Sequence, residues 1–212
     1  IKKIKFYRKD LRWQVKDNIE ICLKDNIFIE PYRRGKYILI PTNMDYIFLI
    51  HLGMSGQIRI KNKIDVIFKH DHMQMIVENN NKFFVITYND PRRFGYIDLF
   101  HKKELKGHFL LTKIGVEPLE KKFTIEYLHN IFKKRSKNIK NALIDQQIIA
   151  GIGNIYASEI LFKAKINPFR NVNTLTKKDL NLIIKSTKII LQNSINVGGT
   201  TIKDHIQPDG SL

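Results

Sequence analysis

The chain has 212 residues, 43% of them hydrophobic, a formal net charge of +17 and a single cysteine, Cys22. That length and apolar fraction sustain one large or two modest domains, while the lone thiol excludes an internal disulfide framework and a cysteine-based zinc site. A cationic excess of this size favours phosphate and makes nucleic acid the first partner to consider, although abundant Ile, Lys and Asn also fit codon bias in an AT-rich genome.

The opening Ile1-Lys2-Lys3-Ile4-Lys5 lacks the apolar stretch of a signal peptide, and the start on Ile1 instead of Met points to preceding residues. No apolar run approaches the roughly 18 residues a membrane span requires. A cytoplasmic, nucleoid-associated protein with no membrane partner is the expectation. Strand-like runs then follow at Tyr37 to Ile40, Tyr46 to His51, Gln57 to Ile60, Met73 to Glu78, Lys82 to Tyr88 and Tyr96 to Phe100. Turn residues separate them, among them Pro41-Thr42-Asn43, Asn79-Asn80-Asn81 and Asp90-Pro91. Short strands at close spacing imply a sandwich or barrel.

Beyond a boundary near Lys102 to Leu119 the period becomes helical. Thr124 is placed to cap one helix, Asn138 another running to about Ala150 where Gly151 stops it, and Asn154 a third that ends near Asn167-Pro168. Thr176 with Asp179 reads as a capping box for a last long helix ending before Gly198-Gly199. The predicted fold is α+β: a β-sandwich domain over residues 1–105 and a helical domain over residues 106–212.

Five segments carry candidate chemistry. Arg33-Arg34-Gly35-Lys36 is a basic cluster that also fits a solvated strand end. His51-Leu52-Gly53-Met54-Ser55-Gly56 leaves a strand through glycines and exposes Met54 as a soft wedge, or buries it in a tight corner. His70-Asp71-His72 holds metal-ligating types without further ligands nearby, so no metal is assigned and a phosphate contact by one histidine is preferred. Asp90-Pro91-Arg92-Arg93-Phe94-Gly95 sets two guanidinium groups and a ring on one turn, able to grip phosphate and wedge between bases; the alternative pairs Asp90 with an arginine and buries Phe94. Gly151-Ile152-Gly153-Asn154 joins two helices, where close backbone approach and free N–H groups suit a phosphate, with Arg135, Lys137 and Lys140 just upstream. The same turn also fits an ordinary helix connection.

In this order, with Leu11-Arg12-Trp13, Gly115-Val116-Glu117-Pro118-Leu119 and Gly198-Gly199-Thr200-Thr201, these segments resemble bacterial formamidopyrimidine-DNA glycosylase over nearly the whole chain. The resemblance implies a β-sandwich joined to a helix-two-turn-helix domain with DNA between them. It implies base excision of oxidised purines, 8-oxoguanine and formamidopyrimidines, by base flipping, followed by β,δ-elimination at the abasic site. The partner is double-stranded DNA carrying such lesions, and the protein a monomer. By the same resemblance Lys36 is the proton donor for β-elimination, His70, Arg92, Arg135, Lys140 and Asn154 bind DNA, and Met54, Arg92 and Phe94 fill the void left by the flipped nucleotide. The family's amino-terminal Pro-Glu nucleophile and its carboxy-terminal zinc finger are not among residues 1–212. No cofactor is assigned within these residues, Zn2+ is expected in the full-length family member, and this chain as written is expected to be inactive. The lesion-embracing loop would begin at Ile202. The competing reading is a non-catalytic nucleic-acid-binding module that grips phosphate through the Gly151 to Asn154 junction.

Overall fold

The computed structural model describes residues 1–63 and 66–199; Thr200, Thr201 and the loop expected from Ile202 onward lie outside the described residues. Two compact units divide the chain, one over residues 1–106 and the other starting at Gly107.

The first unit pairs two four-stranded antiparallel sheets. One has the order β1 (Lys3–Phe6), β6 (Asp71–Asn79), β7 (Lys82–Asn89), β5 (Gln57–Lys61), and the other β2 (Tyr32–Arg34), β3 (Tyr37–Pro41), β4 (Tyr46–His51), β8 (Tyr96–His101). Strand alternation decides which side chains meet between them: Ile4, Met73, Met75 and Tyr88 from the first sheet pack with Phe48, Ile50, Ile97 and Leu99 from the second. Val15 and the short helix α1 (Ile19–Leu23) complete that core through Ile19 and Leu23. Each such side chain, when fully buried, contributes about 1.5–3 kcal/mol. The β6–β7 hairpin turns on Asn80 and Asn81, both left-handed at φ 51° and 60°, which is the two-residue turn whose twist matches its strands.

Strands β1 and β2 and helix α1 add to the sequence-based elements. In β1 the lysines face out while Ile4 and Phe6 face in, a period-two signal carried by four residues. The six predicted strands all form.

The second unit is helical: α2 (Ile125–Phe132), α3 (Ile139–Ile144), α4 (Asn154–Ala164) and α5 (Lys177–Asn196) surround one core that includes Leu128, Phe132, Leu143, Ile160, Leu161 and Ile183. Thr124 caps α2 through the Tyr127 amide, and Asn138 caps α3 through the Asn141 amide. Thr176 and Asp179 form a reciprocal capping box on α5, worth about 1 kcal/mol. Helix α3 stops at Ile144, short of Ala150. Asp145 leaves helical geometry at ψ 105°, and its carbonyl and carboxylate take the amides of Ile148, Ile149 and Gln147, closing a turn that competes with the helix. Helix α4 ends at Ala164, where Lys165 adopts φ 55°. No described helix is long and apolar enough to cross a membrane.

Candidate nucleic-acid interface

In the first unit, two loops that the sequence singled out separately are built as one structure. Gly53 has φ +66°, and a Cβ there would meet the Phe94 carbonyl carbon at 2.5 Å and the Gly95 nitrogen at 2.7 Å. Only glycine lets the backbones of the 53–56 loop and the 90–95 turn approach so closely. Asp90, fully buried, ties them further: it accepts from Ser55 Oγ at 2.6 Å, Tyr88 OH at 3.1 Å and the Gly95 amide at 2.8 Å. Ser55 Oγ in turn accepts from the Arg92 amide at 3.2 Å. Asp90 thus satisfies backbone and hydroxyl groups of these loops, in place of the arginine that the alternative reading paired with it. Burial first, then the adjoining Asp90 charge, pushes the Tyr88 phenol far up, so it stays a neutral donor.

On this rigid base the apolar tips stand in solvent. Met54 is 72% exposed and Phe94 43% exposed, so neither belongs to the core. The Arg92 guanidinium lies 4.6 Å from the Phe94 ring centroid, a cation–π contact that holds both in one orientation. Arg92, Arg93 and Phe94 line a hollow of about 620 Å³ with Asp10, Leu11 and Arg12.

Lys36 sits on the two-residue loop joining β2 and β3, with Gly35 at φ 57° in the first loop position, where such hairpins use glycine. Partial burial pulls the Lys36 ammonium below the ordinary lysine range, which eases proton donation. Its neighbour Tyr37 is register partner of His51 on β4, with ring centroids 4.8 Å apart. Sequence reasoning assigns no role to His51, although it opens the HLGMSG segment. Its Nδ1 accepts the Gly53 amide at 3.1 Å, leaving Nε2 to carry the proton of the neutral ring. Burial holds the His51 pKa down first, then the charges of Lys36 and Arg12, against an opposing pull from Asp90. Lys36, Arg12 and His51 are therefore a cationic group with a titratable member, a combination suited to a phosphate.

The three residues of His70-Asp71-His72 separate in role. His72 is buried, with Nε2 at 2.7 Å from the Asp90 carbonyl oxygen, and it lies at a bulge between β6 and β7. Asp71 is held by Arg59 at 2.6 Å and accepts from the Phe68 amide and Asn89. His70 takes a left-handed φ of 74° and is the partly accessible member of the three. No group of three or more metal-ligating side chains occurs among the described residues.

The second unit holds Arg135, Lys140 and Asn154. The junction before α4 is shaped by Gln146, which the sequence reading overlooked: its amide oxygen accepts from the Gly151 nitrogen at 2.8 Å, and its amide nitrogen donates to the carbonyls of Ile144 and Ile152. Gly151 takes φ 80°. Asn154 is the first helical residue, not the cap. Gly153 occupies the cap position in extended geometry and no side-chain cap is present, so first-turn amides of an eleven-residue helix are presented without an intrahelical acceptor. Arg135 and Lys137 converge on one Asp145 oxygen at 3.6 and 2.8 Å. Burial raises the Asp145 pKa, but the Lys137 hydrogen bond, the Gln147 amide and both cations bring it below the usual carboxylate range. Arg135 and Lys137 are thus partly compensated. Lys140 lines a groove of about 430 Å³ with Ser158, Leu161 and Phe162 of α4.

The formamidopyrimidine-DNA glycosylase N-terminal domain matches residues 1–97, and the H2TH domain of the same enzymes matches residues 114–206. The formamidopyrimidine-DNA glycosylase of Salmonella arizonae is 42% identical over 200 residues, covering 94% of this chain and 72% of that protein. The Wolbachia pipientis wMel enzyme of the same name is 38% identical over 202 residues, covering 95% and 73%. Among solved structures, Lactococcus lactis Fpg in complex with DNA containing an abasic site superposes with a TM-score of 0.88 at 30% identity, covering 99% of this chain and 75% of that one. MutM in complex with carbocyclic 8-oxo-G DNA gives 0.86 at 31% identity, covering 96% and 74%.

Proposed function

The chain belongs to the formamidopyrimidine-DNA glycosylase family of DNA-repair enzymes, and we propose that it recognises oxidised purines and abasic sites in duplex DNA, with β,δ-elimination as the accompanying lyase chemistry of the complete machinery. The observation that carries this reading is the locked pair of loops presenting Met54, Arg92 and Phe94. A flipped-out nucleotide leaves a gap in the stack that costs a few kcal/mol, and inserted apolar side chains recover part of it. Met54 and Phe94 are the wedge, while Arg92 stacks on Phe94 and offers donors to the exposed partner base or a phosphate.

DNA is held by phosphate contacts from both units. Lys36 and His70 serve in the first unit, with His51 and Arg12 beside Lys36; Arg135, Lys140 and the Asn154 helix start serve in the second. Lys36, with its lowered pKa, protonates the leaving group in β-elimination. Cys22 is the single cysteine of residues 1–212, so a four-cysteine zinc finger is not built from these residues. The bond-making amine and its glutamate, by family resemblance, lie in a Pro-Glu segment that residues 1–212 do not contain. A polypeptide of these residues is accordingly proposed to bind lesion DNA without forming a Schiff base. Borohydride trapping with duplex containing 8-oxoguanine or an abasic site tests this. Binding without a trapped adduct agrees with it; an adduct through Lys36 or another of these residues overturns the assignment.

A non-catalytic phosphate-binding module would account for the second unit. It gives no reason for a 72% exposed Met54 beside an exposed Phe94 on loops fixed by a buried aspartate, so the repair reading is preferred.

A further inference from the structure

We propose that Asp10 is a positioning residue for the void-filling turn: it clamps Arg93 so that the flanking Arg92 and Phe94 are held ready for insertion. This rests on the reading of Met54, Arg92 and Phe94 as the group that enters the DNA stack.

Asp10 belongs to a small closed loop. It bridges Gln14, and the Val15 amide donates to the Lys9 carbonyl at 2.9 Å, with Val15 fully buried as the anchor. The loop meets the 90–95 turn twice, across 83 residues of sequence. The Arg12 amide donates to the Gly95 carbonyl at 3.2 Å, and the Arg93 guanidinium donates to the Asp10 carboxylate at 2.5 Å and approaches its backbone carbonyl at 3.5 Å. The other carboxylate oxygen takes Arg8 Nε at 2.6 Å.

Two features make this more than a surface ion pair. Arg93 has φ 56°, a conformation that L side chains rarely adopt because Cβ crowds the following carbonyl. A left-handed arginine between Arg92 and Phe94 therefore needs holding at both ends: its amide donates to the Asp90 carbonyl at 3.2 Å within the turn, and the Asp10 clamp fixes the far end of its side chain. Second, Asp10 is the one carboxylate among the described residues lining the hollow it shares with Arg12, Arg92, Arg93 and Phe94. On a face meant for DNA, an aspartate repels phosphate. Its presence is explained if it acts through Arg93.

The two effects of Asp10 have opposite signs on DNA, and that separates them. The test uses duplexes with a stable abasic analogue and 2-aminopurine next to it, whose fluorescence rises when the wedge unstacks it, alongside affinity for the undamaged duplex. Asp10→Asn is expected to bind undamaged DNA as tightly as the parent or tighter, because a negative charge is lost and Arg8 and Arg93 are released. The 2-aminopurine response and the preference for damaged over undamaged duplex should fall roughly two- to fivefold, the scale of a partly exposed ion-pair network, and Asp10→Glu should restore both. An Asp10→Asn protein with the parental 2-aminopurine response overturns the role of Asp10 alone. A parent protein that gives no response overturns the wedge reading and this proposal with it. Parallel loss of response and undamaged-duplex affinity in Asp10→Asn overturns the positioning role in favour of a general loss of structure.

Discussion

Gly53 and Phe94 meet backbone to backbone: a Cβ on Gly53 would lie 2.5 Å from the Phe94 carbonyl carbon, at a position whose φ is +66°. Gly53→Ala is therefore strained twice, by the left-handed backbone and by atoms that cannot yield without moving the Arg92–Phe94 turn. The expected cost is roughly 1–3 kcal/mol in chemical denaturation, with loss of discrimination between damaged and undamaged duplex. Gly107→Ala is the control, since a Cβ there meets nothing within 4 Å. Equal effects of the two substitutions would show that the close approach does not organise the loops.

His51 gives binding a pH dependence of definite sign. Burial, Lys36 and Arg12 hold its pKa below 6.5 in the free protein, with Asp90 opposing. A phosphate beside it favours the imidazolium, so binding takes up a proton and affinity rises as pH falls from ~8 to ~5.5. In the free protein the depressed pKa acts on stability: the contribution is present above 6.5 and is lost as pH falls through the folded-state value. His51→Gln should flatten the binding profile relative to the parent; superimposable profiles would remove His51 from the phosphate contacts.

Gln146→Ala removes three hydrogen bonds that pin the turn before α4 at Gly151, Ile144 and Ile152. Leaving these partly buried backbone groups unpartnered should cost about 1–3 kcal/mol and weaken binding to damaged and undamaged duplex alike. A binding loss confined to damaged DNA would contradict the assignment of this turn to the phosphate backbone.

Lys36→Ala is expected to slow strand cleavage much more than base release when made in a protein that carries the complete catalytic machinery, because the proton proposed to come from Lys36 serves elimination and not glycosidic cleavage. Gel assays of nicking with and without alkali separate the two steps. Unchanged nicking would sink the role given to Lys36.

The long strands were legible because their apolar residues alternate or run unbroken, as in Ile47 to Ile50. Four-residue β1 and five-residue α1 carry too few periods to stand out. Sequence carries α3 on to about Ala150 because Ile148, Ile149 and Ala150 continue an apolar pattern, while the turn that ends the helix at Ile144 depends on where Asp145 and Gln146 place their side chains. Asn154 has the composition of a cap, yet Gly153 takes that place at φ −113°. The site residues brought together by adjacent sequence, such as Arg92 and Phe94, could be read directly. Those joined across the fold could not, since Ser55 with Asp90, Tyr37 with His51 and Asp10 with Arg93 become neighbours only through sheet register and loop packing.

The chain is proposed to distinguish damaged DNA by inserting Met54 and Phe94. The most direct test is equilibrium affinity for a duplex with a stable abasic analogue against the intact duplex at one fixed salt concentration, for the parent and for Met54→Ala/Phe94→Ala. The parent should prefer the damaged duplex by about tenfold or more, since the lesion site is already unstacked. The double variant should lose most of that preference while keeping its affinity for intact DNA. Equal affinity of the parent for both duplexes, or a variant that loses both equally, would contradict it.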